Sequence, residues 1–460
     1  MDIVRALSGT PMVAKQDMSV PVKFGIEMEC ILNVPAHVFN ARNRVLKEAP
    51  VEVNLGNTLD SPRKWSQLVD LLNTSTDRAR FVLSRNKGEV YHFEPSKGYP
   101  PLWIVDADGT VMIEWPARLG TRTVLMNEET YGQHTQRTNC PAMLIEGIEL
   151  ISPVFRAEDR MWLGGLPADM IMHNVNTSNH IHMSSPLLKD PQVLIRLIVN
   201  YRLFEPVVMA MCAKERRHSY HCQMQPFWSI IAILLNEDML SMTVDRFCDA
   251  FDGKLAQITL QDIVQANARV CTNLSNTPQS SKKQSLNLNF AEDGHLEFRI
   301  KHGSADALEN CMFVDLFSRI VRASVCDNAC TRLLAQQGGS RRMREYLTEW
   351  GASPTMQMPC ETVRPLAESM IQWVSNFGDD ASTTADMAQF VRNKLSRNLR
   401  GLTHVQAGVV DLSDSGTDTD TEALGGAPIH SNATIRAVLT VAASATVTLA
   451  LILTTGCPSR

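Results

Sequence analysis

Four short apolar stretches carry polar or charged residues on alternate positions. Glu27 and Glu29 stand in "KFGIEMEC", Glu149 in "GIELISP", His180 and His182 in "HIHM", and Glu297 with Arg299 in "LEFRI". Successive side chains of a strand point to opposite faces, so Glu27 and Glu29 share one face while Ile26, Met28 and Cys30 take the other. Two carboxylates about 7 Å apart repel each other unless cations sit between or beside them. Each stretch alone also fits a plainer role: a solvated strand edge, an incidental H-x-H, or a surface ion pair worth little. Paired in one sheet, they would line a single floor with four acids, two histidines and an arginine. Such a floor suits hard divalent ions, Mg²⁺ or Mn²⁺, which favour oxygen ligands and keep positions open for phosphate. Zinc fits less well, because no cysteine has the spacing of a zinc cluster.

The elements that must hold this floor follow from periodicity. Strands are expected at 22–32, 103–114 (with the turn signal Asp108-Gly109), 147–155, 180–184, 285–290 and 295–300. Apolar residues recurring at three and four predict helices over 191–215, 227–251 and 305–334. The segment 54–100 reads as an insertion, with a helix opened by Ser61-Pro62. Short strands followed by blocks of helix indicate an α+β fold with an antiparallel sheet.

Composition bounds the partners. The 460 residues are 44% apolar and 20% charged, enough for one large domain with appendages or for two domains. Residues 401–433 contain Asp411, Asp414, Asp418, Asp420 and Glu422 and no Lys or Arg, a balance that equals the whole formal charge of −5. The remainder is close to neutral, which argues against a nucleic-acid partner. Eleven scattered cysteines without C-x-x-C spacing indicate reduced thiols in a cytosol-like compartment. The N-terminus lacks the apolar run of a signal peptide, so synthesis is expected to begin in the cytosol.

At the other end, 437–456 is an uncharged run of about 20 residues, the length that spans a bilayer. It predicts a single-pass C-terminal transmembrane helix, a membrane localisation, and a main domain facing the cytoplasm. The expected organisation is a leader (1–20), a main domain (21–335), a helical extension (336–400), an acidic linker (401–434) and the anchor (435–457). Within the linker, Val409-Val410-Asp411-Leu412 before serines and acids resembles a SUMO-interacting motif, which adds a strand to a partner's sheet edge. A solvated acidic tether is the plainer alternative.

The chain also resembles the amidoligase family of the carboxylate-amine ligase superfamily, which includes glutamine synthetase. The motifs run in order: G-x-E-x-E (Gly25, Glu27, Glu29), Trp103-x-Val105 with Asp108-Gly109-Thr110, G-I-E-L-I-S-P (147–153), H-x-H, a Lys-to-Leu-Asn stretch (Lys283 to Asn287), E-F-R, and G-S-x-D (303–306). The resemblance covers about residues 22–330. It implies a glutamine synthetase-like sheet with helices on one side. It also implies an enzyme that uses ATP and Mg²⁺ (or Mn²⁺) to activate a carboxylate as an acyl phosphate for attack by an amine. The carboxylate would belong to an amino acid, peptide or protein.

By the same resemblance Glu27, Glu29, Glu149 and Glu297 would hold metal, and His180 or His182 would serve metal or nucleotide phosphate. Arg299 would contact the transferring phosphoryl group. Lys283 and Arg217 would contact substrate or phosphate, with Lys282 and Arg216 equally placed. Departures exist: Ser178-Asn179 stand where the family carries Gly and an apolar residue, and Thr110 replaces the commoner Ser. No G-x-x-x-x-G-K-[ST] or G-x-G-x-x-G is present, consistent with nucleotide held mainly by metals. Three functions remain open: the ligase, an inactive membrane-tethered adaptor acting through the linker, and metal-dependent hydrolysis of an amide on the same floor.

Overall fold

β1 (Lys23–Pro35) divides its side chains as the alternation requires. Phe24, Ile26, Met28 and Cys30 are buried in the apolar core, and Glu27 and Glu29 lie on the opposite face. The computed structural model describes residues 20–35, 62–84, 91–106, 123–127, 142–168, 170–173, 177–213, 222, 227–236, 257–275, 284–289, 291–326, 360–378 and 381–407.

β1 is the centre of the sheet. It pairs antiparallel with β5 (Ala142–Ile151) on one side and β8 (Asn179–Ser184) on the other. Past β8 come β10 (His295–Phe298) and β9 (Leu286–Asn287); past β5 come β3 (Leu102–Asp106) and β2 (Arg80–Leu83). The order is β2-β3-β5-β1-β8-β10-β9, with β4 (Thr123–Asn127) on β5, and β6 (Phe155–Arg156) and β7 (Ile171–Met172) on β1. The sheet is mixed and not antiparallel as expected, because β2 and β3 run parallel. Antiparallel strands can be joined by a tight hairpin, whereas a parallel pair needs a crossover of roughly a dozen residues or more. The stretch 84–101 is long enough to be one.

Helices cover the apolar face. α1 (Pro62–Ser75) buries Leu68 and Leu72 and packs beside β2. α2 (Pro191–Met211) starts at a capping Asp190, whose carboxylate accepts from the Gln192 amide at 2.8 Å, with Pro191 in the first turn. It packs on α5 (Ala307–Cys326), and Tyr201 of α2 meets Phe298 of β10 edge-on at 5.3 Å. Phe298 in turn stacks on Phe317 of α5 at 4.2 Å. α3 (Phe227–Leu235) ends at Asn236, whose φ of 52° is the left-handed conformation that stops a helix. It pairs with α4 (Leu260–Ser275).

α6 (Cys360–Ser375) and α7 (Ala381–Ala407) pack on α2 and α5. Asn398 donates to the Ala210 and Cys212 carbonyls, and Arg319 Nη1 donates to Thr384 Oγ1 at 2.8 Å. These helices belong to one contact unit, Met1–Ala407; a second unit, Gly408–Arg460, lies outside the described residues.

The expected membrane anchor is not supported. No helix among the described residues is long and apolar enough to cross a membrane, and the membrane localisation is withdrawn with it. The most apolar long helix, α2, carries Arg196, Arg202 and Glu205 and is a core element. The run at 437–456 lies outside the described residues, as does Val409–Leu412.

Phe298 is fully buried between the two helices. Phe298→Ala is expected to lower the unfolding free energy by about 3–5 kcal/mol, read as a reduced midpoint in urea unfolding. A change below about 1 kcal/mol would mean that the sheet and helices are not packed through this ring.

Candidate metal centre

Strand register brings the polar residues into rows. Glu27 lies opposite His180 across β1 and β8, and Glu29 opposite Glu149 across β1 and β5. Glu297 of β10 lies opposite His182 on one side and Asn287 on the other. Cross-strand partners share a face, so all of these residues stand on the face away from the helices. Asp106 of β3, which sequence reading did not single out, lies opposite Glu149 on the same face.

The residues form two three-ligand groups that meet at Glu27. Glu27, His182 and Glu297 make one, and Glu27, Glu149 and His180 the other; within each, one ligand atom per residue lies within 4.8 Å of the others. His180 Nδ1 is 3.2 Å from Glu297 Oε1 and 3.5 Å from Glu27 Oε2, while its Nε2 is 3.5 Å from Glu29 Oε1. His182 Nε2 is 3.2 Å from Glu27 Oε1. Arg299 Nη1 donates to Glu297 Oε1 and lies 3.4 Å from His180 Nδ1.

The residues fit a divalent ion. His182 Nε2 is buried without a hydrogen-bond partner among the described residues, although it points at the Glu27 carboxylate. Once its proton is displaced, Nε2 and the acids of two strands beside it make a donor set for a cation. The donors are oxygen and imidazole nitrogen only, since Cys30 turns to the apolar side, and this favours Mg²⁺ or Mn²⁺ over a thiolate-bound metal. Neighbouring groups fix the ligands from behind: Asn287 Nδ2 donates to Glu297 Oε2 at 2.6 Å, and His182 Nδ1 meets His295 Nε2 at 2.7 Å.

Charge is tightly coupled across this face. Burial opposes ionisation of Glu27, yet His182 and His180 hold its carboxyl well below the usual range. Glu297 is likewise buried, and His180 and Arg299 hold it down. Burial works against a charged His182, but Glu27 and Glu297 outweigh it and raise the ring above its ordinary value. His295 moves the other way, to about 4, through burial and the charge of His182.

No family model, curated protein or solved structure matches this chain. The functional reading therefore depends on the assembled geometry. That geometry brings together Glu27, Glu29, Glu149, His180, His182, Glu297 and Arg299 of the expected set, while Arg217, Lys283, Arg216 and Lys282 lie outside the described residues. Sequence reading did not single out Asp106 or His295, and it noted Ser178 and Asn287 only as parts of a family pattern. Ser178 and His295 stand two positions from His180 and Glu297, a period-two signal, whereas Asp106 and Asn287 join the face only through strand register.

Because Glu27 belongs to both groups, Glu27→Gln is expected to abolish tight Mn²⁺ binding at two positions, whereas His182→Gln and His180→Gln each remove one. Paramagnetic resonance of free Mn²⁺ during titration counts the sites, and a single site insensitive to one histidine would refute the paired arrangement.

The metal-free protein should also show a bounded pH range. Glu27 and Glu297, with lowered values, favour the fold above roughly pH 4.5 and lose that contribution as pH falls through their depressed values. His182, with a raised value, favours it below about pH 6.5 and loses that contribution as pH rises through its raised value. Thermal melts with a chelator are expected to peak near roughly pH 5–6, and Mn²⁺ to extend the plateau upward by replacing the His182 proton. A chelated protein that keeps gaining stability above neutrality would contradict this.

Proposed function

We propose that the chain is an ATP-dependent carboxylate-amine ligase that forms an amide through an acyl phosphate. The observation that carries this reading is the pair of ligand groups joined at Glu27, with Arg299 seated against Glu297 at their border. Phosphoryl transfer asks little covalent chemistry of a protein, and catalysis is mostly positioning and neutralisation of charge on oxygens. A floor with more acids than cations, plus a planar guanidinium beside it, matches that need.

Glu27, Glu297 and His182 would hold one Mg²⁺, and Glu27, Glu149 and His180 a second. Bound there, the ions would neutralise and orient phosphate oxygens. Arg299 supplies the fixed cation: tied to Glu297, its guanidinium would neutralise charge on phosphoryl oxygens. In the reaction, a substrate carboxylate oxygen takes the γ-phosphoryl group of ATP and ADP leaves. The amine then attacks the acyl carbon, phosphate leaves with the C–O bond electrons, and an acidic side chain of the floor accepts the amine proton.

The test is the full chain with ATP, Mg²⁺ and pools of amino acids and amines, following phosphate release and new amide masses. Turnover should depend on the metal and fall about a hundredfold or more in Glu27→Gln, since metal stabilisation is worth several kcal/mol. Absence of phosphate release with every pool would overturn the ligase. Amide cleavage without ATP would assign the same floor to metal-dependent hydrolysis instead.

A further inference from the structure

We infer that Ser178 is a positioning residue that fixes the tautomer of His180, so that Nε2 always carries hydrogen and Nδ1 is the nitrogen presented to the metal.

Ser178 is buried at the start of β8, and its backbone is held by the Glu29 amide, which donates to the Ser178 carbonyl at 2.9 Å. Its hydroxyl touches two groups: it donates to Glu29 Oε2, and it lies 2.8 Å from His180 Nε2. A serine hydroxyl has one hydrogen, and an ionised carboxylate can only accept. With that hydrogen spent on Glu29, the oxygen can only accept from the imidazole. Nε2 must therefore be the donor, whether the ring is neutral or charged.

The exchangeable nitrogen is then Nδ1, which faces Glu297 Oε1 at 3.2 Å and Glu27 Oε2 at 3.5 Å. His182, two residues along the same strand, is oriented the opposite way: its Nε2 faces Glu27, and its Nδ1 faces His295. The two histidines thus present different nitrogens to the floor, each with a polar neighbour behind it, so that a metal would meet Nδ1 of one and Nε2 of the other. This consequence rests on the metal reading above; the tautomer itself does not.

The experiment uses the full chain labelled with ¹⁵N-histidine, with His180 identified by its loss in His180→Gln. Two-bond ¹H–¹⁵N spectra with Mg²⁺ should show His180 Nε2 protonated and Nδ1 not. Nδ1 protonated with Nε2 bare would overturn the inference on the unaltered protein, without recourse to variants. Ser178→Ala should mix the two tautomers and weaken Mn²⁺ binding at one of the two positions about 10- to 100-fold, while Ser178→Thr, which keeps the hydroxyl, should restore both. A folded Ser178→Ala protein with the parent's tautomer and affinity would reduce Ser178 to a packing residue and also overturn it. Failure of ligase turnover alongside a protonated Nε2 would count against the function and leave this assignment standing. Turnover alongside a protonated Nδ1 would do the reverse.

Discussion

The structure depends on how the acids around Glu27 are accommodated at the centre of a sheet. Glu29 and Glu297 are only 8% and 3% exposed, and His180 between them 3%. Ionised carboxylates taken out of water are costly unless paired and hydrogen-bonded. On this face the protein supplies Arg299 and two histidines as counter-charges, with Ser178 and Asn287 as donors. Removing one partner of such a set leaves an uncompensated charge, which costs more than the intact pair contributes. The arrangement is therefore poised for cations, and the metal-free state has to protonate a histidine to balance itself.

That face is held in register by the other one. Phe24, Ile26, Met28 and Cys30 of β1, Ile148 and Leu150 of β5, and Ile181 and Met183 of β8 are buried on the helix side. A slip of one residue between any two of these strands would drive the acids into the core and expose the apolar set. The cost of that inversion is what keeps Glu27 opposite His180 and Glu29 opposite Glu149. Site precision here comes from hydrophobic alternation and not from the polar contacts themselves.

This explains what could be seen in the sequence. Alternation along single strands identified Glu27, Glu29, Glu149, His180, His182, Glu297 and Arg299, because each breaks an apolar run at period two. Which of them meet is a property of strand order, and so the division into two groups sharing Glu27 was not legible. Ser178 was visible only as a departure from a family pattern; its hydroxyl acquires meaning once Glu29 is brought across from β1. The parallel placement of β2 beside β3 escaped because it is decided by the path of the chain between them and leaves no trace in either strand's composition. The expected anchor finds no support, since no helix among the described residues is long and apolar enough to cross a membrane.

The helices behind the sheet enter the site's geometry through one further acid. Glu309 of α5 receives His302 Nε2 and Lys394 Nζ of α7, each at 2.9 Å, and Ser304 Oγ at 3.2 Å. Burial beside it brings the Lys301 ammonium down to about 8. His302 bridges to Ser178, and Asn179 donates through its side chain to the Ser304 carbonyl and to Asn310 Oδ1, both at 2.8 Å. Ser178 and Asn179 open the strand that carries both histidines. A buried cluster of this kind contributes little net stability, because desolvation offsets attraction, but it permits few alternative geometries. Its position therefore links α7 to the site indirectly: Lys394 meets Glu309, Glu309 meets His302, and His302 pairs with Ser178 at the entry of the strand that carries His180 and His182.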